Sequence, residues 1–446
     1  MAITSELIKT FSQRFSADPN NIIARNTVVR NGLNQSAVNS DLGKKYPFVF
    51  STEIKGGEIT NQKSSGRCWM FASLNTMRVN VMGDYNLGNF EFSETYPFFW
   101  DKFEKSNYFL ENILDTLSEP TDGRLIQHLL QAPVQDGGQW DMFKGLLAKY
   151  GAVPKYAMPE AFSSTNSAKL GSLLTLKLRS NACILREGHQ AGQSAEELRQ
   201  AKEGMLYDIY QLLCIVLGTP PTEFDFEYRD KDNLYHADRK ITPQVFFQKY
   251  VGWNLKQKLS LINAPTKDKP YGKAYTVKYL GTVHEADPIR YINVPSDVLK
   301  QAAIASLKDG HAVWFGCDVG QNHDRETAVM AMDAFDFETL LKTGFPLDKA
   351  QRLDYGESCL THAMVFVGVD LDEDGKPLRW KVENSWGSDI GANKGYFIMS
   401  DEWFDEYNYQ VVVDQQYIPD KWLKAYDEPV IELEPWDPMG ALAMVQ

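Results

Sequence analysis

The sequence predicts an α+β fold, and three observations carry that prediction. Helical patterns dominate the first 260 residues, strand-like runs dominate the chain after residue 310, and 43% hydrophobic residues supply a sizeable core. At 446 residues the chain amounts to roughly three domain-equivalents, or one large enzyme domain with insertions. With 12% aromatic residues, global disorder is excluded.

Taken in order, residues 1–160 mix polar loops with short helical patterns. One helix is expected to open near Ser65 and Gly66, small residues suited to a cap, and to run through Cys68 to Arg78. Residues 161–263 are rich in Leu, Ala, Glu and Lys. Within them, 194–217 carries apolar residues at helical spacing until Gly218-Thr-Pro-Pro stops it, so this region reads as a helical insertion. Residues 264–294, rich in Lys, Tyr, Pro and Gly, read as a projecting arm for oligomerisation, an ordinary surface loop being the alternative. In 295–434 a helix is expected over 296–307, with Ser296 as N-cap and Gly310 just past its end. Strands are expected at 311–319, 362–372, 378–386 and 395–400, and the tail 435–446 has no period of its own.

Charge and cysteine usage narrow the function. Against 46 basic residues stand 59 acidic ones, a net charge of −13 spread along the chain, which disfavours nucleic acid as the main partner. Five cysteines, Cys68, Cys183, Cys214, Cys317 and Cys359, form no CxxC pair and no disulfide framework; all but Cys68 read as packing residues. The N-terminus lacks the apolar core of a signal peptide, and no stretch approaches the roughly 20 apolar residues of a membrane span. A cytoplasmic location is the expectation, with no membrane partner.

The chemistry concentrates in Gln62-Lys-Ser-Ser-Gly-Arg-Cys68-Trp. A cysteine in the first turn of a helix feels unpaired N–H groups and the positive end of the dipole, which favour thiolate, and Arg67 adds positive charge. Gln62 can fold back so that its amide and the Cys68 N–H both face a developing oxyanion. The competing reading is a cysteine buried among Trp and Phe for packing alone. His362, at the mouth of a strand, is well placed to supply a general base, a structural histidine being the competing reading; Asn384 follows 22 residues later at the end of the next strand, where it can orient the ring while Trp386 shields the bond, although Asn-Ser-Trp-Gly read alone is only a turn. Nucleotide-binding glycine loops are absent, and a zinc site from Cys317, His323, Cys359 and His362 lacks paired knuckles, so neither metal nor cofactor is expected.

These motifs resemble the papain-type cysteine peptidases, specifically the bleomycin hydrolase and bacterial aminopeptidase C branch. The resemblance extends to Asp136-Gly-Gly-Gln-Trp140, Leu353-Asp-Tyr-Gly-Glu357 and Trp436-Asp-Pro-Met-Gly-Ala-Leu-Ala443, nearly the whole chain. It implies a two-lobe papain-like fold and assigns Cys68 as nucleophile, His362 as base and later acid, Asn384 as orienting group and Gln62 as oxyanion donor. Gly137 and Gly138 match glycines that pair with the substrate main chain, or form only a turn. The resemblance further implies a homohexamer acting on peptide substrates, with the tail in the cleft restricting it to exopeptidase action. Ala443 would be the anchor once Met444 to Gln446 are trimmed, unless those last residues are simply mobile. An endopeptidase on the same scaffold and a non-catalytic binding hexamer are the competing functions.

Overall fold

The computed structural model describes residues 2–444. Its centre is a 12-stranded mixed sheet in which Val313–Cys317, His362–Leu371, Pro377–Glu383 and Tyr396–Ser400 lie side by side and antiparallel. Along the His362 strand the side chains alternate, as a strand buried on both faces requires. Ala363, Val365 and Val367 pack into the cluster that holds the helix Cys68–Asp84, whereas Met364, Phe366 and Val369 pack into the cluster that holds the helix Ser296–Lys308. The sheet is therefore sandwiched between helices, and the His362 end of the central strand meets the start of the Cys68 helix.

The long helices form where the sequence pattern and its stops agree. Ala195–Leu217 opens on Ser194, whose hydroxyl and the Glu197 side chain form a capping box, and closes on Gly218 at φ +90°. It packs with Ala168–Gln190 against the helix Thr95–Asp115, burying Leu174, Leu178, Leu185, Ile209 and Leu213. Residues 161–263 are not helical throughout: a largely exposed hairpin, Phe224–Arg229 with Tyr235–Ile241, and the sheet strand Lys258–Ile262 follow the helix pair.

Three local expectations are corrected. The segment 264–294 does not project; its strands Lys273–Val277 and Tyr291–Asn293 lie within the main sheet, with Tyr275 and Tyr291 fully buried. Ser296 is the first residue of its helix rather than its cap, because Pro295 takes the cap position and the Ser296 hydroxyl goes to Asp405. Cys183 is exposed rather than packed. Among the described residues no helix is long and apolar enough to cross a membrane.

Candidate active site

Cys68 is the first residue of its helix, two to three residues later than the expected opening, and no side chain caps the first turn. Its free N–H groups are therefore available to the sulfur: the N–H of Trp69 and of Cys68 itself face it, as does the N–H of Ala363, the residue after His362. The helix start and the strand mouth meet at the sulfur atom. Arg67 does not supply the expected field. Its guanidinium is fully buried, fork-bonded to Glu160 at 3.1 Å on each side and bound through Nε to Ser65 Oγ at 2.9 Å.

His362 Nε2 lies 2.9 Å from Asn384 Oδ1, and the same oxygen accepts from the Ser385 N–H at 2.8 Å. An oxygen already accepting there fixes the imidazole as an Nε2–H donor, so the lone pair of the neutral ring sits on Nδ1. Trp386, half-buried, holds its ring 4.9 Å from that of His362. Gln62 stitches the two halves together: its N–H donates to Ser385 O at 2.8 Å, its Oε1 accepts from Ser385 Oγ at 2.7 Å, and its Nε2 donates to Ser65 O at 2.7 Å. One of its two amide hydrogens is thus committed to Ser65.

Burial sets the charges. Cys68 is 1% and His362 5% exposed. Desolvation pushes the thiol up to about 11 in spite of the three N–H groups facing it. It pushes the imidazole down to about 4, Asn384 opposing the shift. Desolvation thus opposes a charge on either group taken alone.

The glycine loop and the tail meet beside this site. A side-chain carbon on Gly138 would stand 2.5 Å from the Trp69 ring, so glycine is required there for packing. The Gly137 carbonyl accepts from Lys105 at 2.6 Å, and Gln139 Nε2 donates to Met439 O at 3.2 Å, joining the loop to the tail. Pro438–Met444 form a 3-10 helix, with Leu442 and Ala443 buried in the cluster that also contains Cys68 and Trp69. Ala443 and Met444 line a cavity of about 60 Å³ with Gln135, Met142 and Leu280. Of the residues expected to be trimmed, Val445 and Gln446 lie outside the described residues.

Sequence reasoning missed the braces of the site. Arg78 on the Cys68 helix pairs at 2.6 Å with Glu383, the residue before Asn384, both fully buried. Asp101, Lys102 and Lys105 lie buried under the glycine loop. Their signal was charged residues inside the apolar run Phe98-Phe-Trp-Asp-Lys-Phe-Glu-Lys105, with Asp101 and Lys105 at i and i+4.

A buried thiol at a helix start, set against the mouth of a strand whose imidazole an amide orients from the neighbouring strand, defines a cysteine peptidase of the papain type. The chain belongs to the Peptidase C1-like family, whose family model matches residues 2–440. Aminopeptidase C of Streptococcus thermophilus is 50% identical over 94% of each chain, and bleomycin hydrolase of Rattus norvegicus is 40% identical over 99% of each. The crystal structure of PepW from Lactobacillus rhamnosis HN001 is similar at a TM-score of 0.96, with 50% identity over 98% of this chain and 99% of that one. The fold is the papain-like α+β fold.

Proposed function

We propose that this chain is an aminopeptidase of the cytoplasm that removes N-terminal residues from peptides through a thioester on Cys68. The observation that carries the reading is the meeting of the Cys68 sulfur with the Ala363 N–H beside an imidazole held at 2.9 Å by Asn384. His362 Nδ1 takes the thiol proton as sulfur attacks the carbonyl carbon. The oxyanion forms between the second Gln62 amide hydrogen and the Cys68 N–H. As the C–N bond breaks, the imidazolium returns its proton to the leaving amine; His362 then deprotonates the water that hydrolyses the thioester. Gly137 and Gly138 offer main-chain partners to the substrate.

The buried tail beside the glycine loop supports exopeptidase action, with Ala443 as the anchor for the substrate's N-terminal residue once Met444 to Gln446 are removed. The helices Ser5–Ser16 and Pro19–Asn31 bury no residue and expose Ile8, Phe11, Phe15 and Ile23, which supports burial against further copies in a homohexamer. The deciding assay compares aminoacyl-amide fluorogenic substrates, free and N-acetylated, on wild type and Cys68→Ala. Turnover of the free compound by wild type alone is expected. Activity in Cys68→Ala refutes the thiol mechanism, and undiminished cleavage of the acetylated compound makes the enzyme an endopeptidase. Intact mass of the active enzyme tests the trimming, and light-scattering mass the hexamer.

A further inference from the structure

Four charged side chains lie buried together beneath the two loops of the site. Lys102 Nζ is 2.7 Å from Asp136 Oδ1 and donates to Gln135 O at 2.8 Å. Lys105 Nζ bonds Asp101 at 3.0 Å, Gln135 O at 3.0 Å and Gly137 O at 2.6 Å. Asp136 faces the other way as well. Its Oδ2 accepts from the Gly66 N–H at 3.0 Å and from the Ser167 hydroxyl, and its carbonyl accepts from the Trp69 indole at 2.7 Å. Gly66 and Trp69 flank Cys68 within two residues, while Gly137 and Gly138 follow Asp136 directly.

A buried ion pair is no better for stability than well-packed apolar side chains of the same volume, because desolvating two charges cancels most of their attraction. What it supplies is direction. In this cluster the bonds end on backbone atoms of the two loops: Gly66 N, Gln135 O and Gly137 O, with the Asp136 carbonyl fixed by Trp69. Burial opposes the charge on Asp136, yet Lys102, Ser167 and the Gly66 N–H hold its carboxyl well below the usual carboxylate range, so it stays an anion in the interior.

We propose that Asp136, gripped by Lys102, is a positioning residue for acyl transfer, locking the loop that carries Cys68 to the loop that presents Gly137 and Gly138. The inference rests on the roles proposed above for Cys68 and the glycine loop. Asp136 acts through the distance between nucleophile and bound carbonyl, so its loss lowers kcat while leaving KM nearly unchanged.

The test uses the full chain. Asp136→Leu removes the bond to Gly66 and leaves Lys102 buried without its counter-charge; the double variant Lys102→Met/Asp136→Leu removes both charges and relieves that penalty without restoring the bond to Gly66. In both variants kcat is expected to fall about 100-fold, the loss typical of an ångström-scale misplacement, with KM within about threefold. The denaturation midpoint recovers in the double variant and kcat does not. Alkylation of Cys68 by iodoacetamide, which needs neither loop, slows by less than about fivefold. Recovery of kcat together with the midpoint, or a kcat within about threefold of wild type in a folded variant, overturns the proposal. Ser167→Ala keeps every charge and covers the case in which the others do not fold: it lowers kcat about threefold at constant KM, and an unchanged kcat overturns the proposal. Activity in Cys68→Ala would instead refute the thiol mechanism itself, a result independent of these variants.

Discussion

Replacing Arg78 by methionine leaves the Glu383 carboxylate, whose side chain has no exposed surface, without its ion-pair partner in the interior, where Lys381 is the remaining nearby cation. Breaking a buried pair from one side costs about 3–5 kcal/mol, a large share of the 5–15 kcal/mol that typically separates folded from unfolded chains. Taking away the second charge too, in Arg78→Met/Glu383→Gln, returns at least about 2 kcal/mol, because no ion is then stranded. Urea unfolding of wild type, both single variants and the double completes the cycle. The pH dependence has a definite sign. Burial outweighs Arg78 and already holds the Glu383 carboxyl above its ordinary 4.5; without Arg78 it rises further. Between 4.5 and that raised value the native chain carries a proton that the unfolded chain lacks, so the variant's deficit is smallest near pH 4.5 and grows as pH rises. Glu383 precedes Asn384, so kcat falls in the single variant as well. A loss below about 1 kcal/mol for Arg78→Met, or a double variant no more stable than the single, refutes the idea that this pair braces the two halves of the site.

Further outcomes follow from the same geometry. Gly138→Ala drives a carbon to 2.5 Å from the Trp69 ring and is expected to cost about 1–3 kcal/mol in denaturation and to lower kcat/KM; wild-type values for both contradict the close packing. Asn384→Ala removes the acceptor of the His362 Nε2–H and lowers kcat about 100-fold with little change in KM, measured on an aminoacyl-amide substrate. Burial depresses both His323 and His362 to about 4 from an ordinary 6.5, so each destabilises the fold by about 3 kcal/mol as pH falls from 6.5 through 4. His323→Gln therefore flattens the acid limb of stability measured between pH 7 and pH 4, and an unchanged slope excludes His323 from that limb.

What could be read from the sequence was what local signals encode. The 195–217 helix announces itself by Ser194, Glu197 and Gly218, and the His362 strand by an unbroken apolar run, so both emerged within a residue or two of their limits. The grouping of Gln62, Cys68, His362 and Asn384 was legible because each sits at or near an element boundary with a recognisable neighbour. The strands at 273–277 and 291–293 were not. They are only five and three residues long, and their partners lie far along the chain: Tyr275 pairs with Ile431, and Tyr291 with Ser260. Tyrosines in a Lys- and Gly-rich stretch suggested exposure, yet Tyr275 donates to Pro270 O and Tyr291 to Met439 O within the core. Arg67 failed in a similar way. Its neighbour in sequence is Cys68, but its charge is spent on Glu160, 93 residues away.

At the thiol, burial works against the helix terminus. A first-turn cysteine at a surface gains from the dipole and the free N–H groups, which together are worth on the order of 1 kcal/mol. At Cys68 the same groups are present, but the side chain is withdrawn from water, and the loss of hydration of a thiolate is larger than that gain. The imidazole faces the same penalty as a cation. Burial therefore opposes a lone thiolate and a lone imidazolium, whereas the two charges formed together, by moving one proton from sulfur to the imidazole, offset each other's desolvation. Burial thus favours proton transfer within the pair over a charge on either group alone, and it gives a reason for the ring to be aimed beforehand. The bond from the imidazole Nε2–H to Asn384 fixes the ring and leaves Nδ1 as its basic nitrogen.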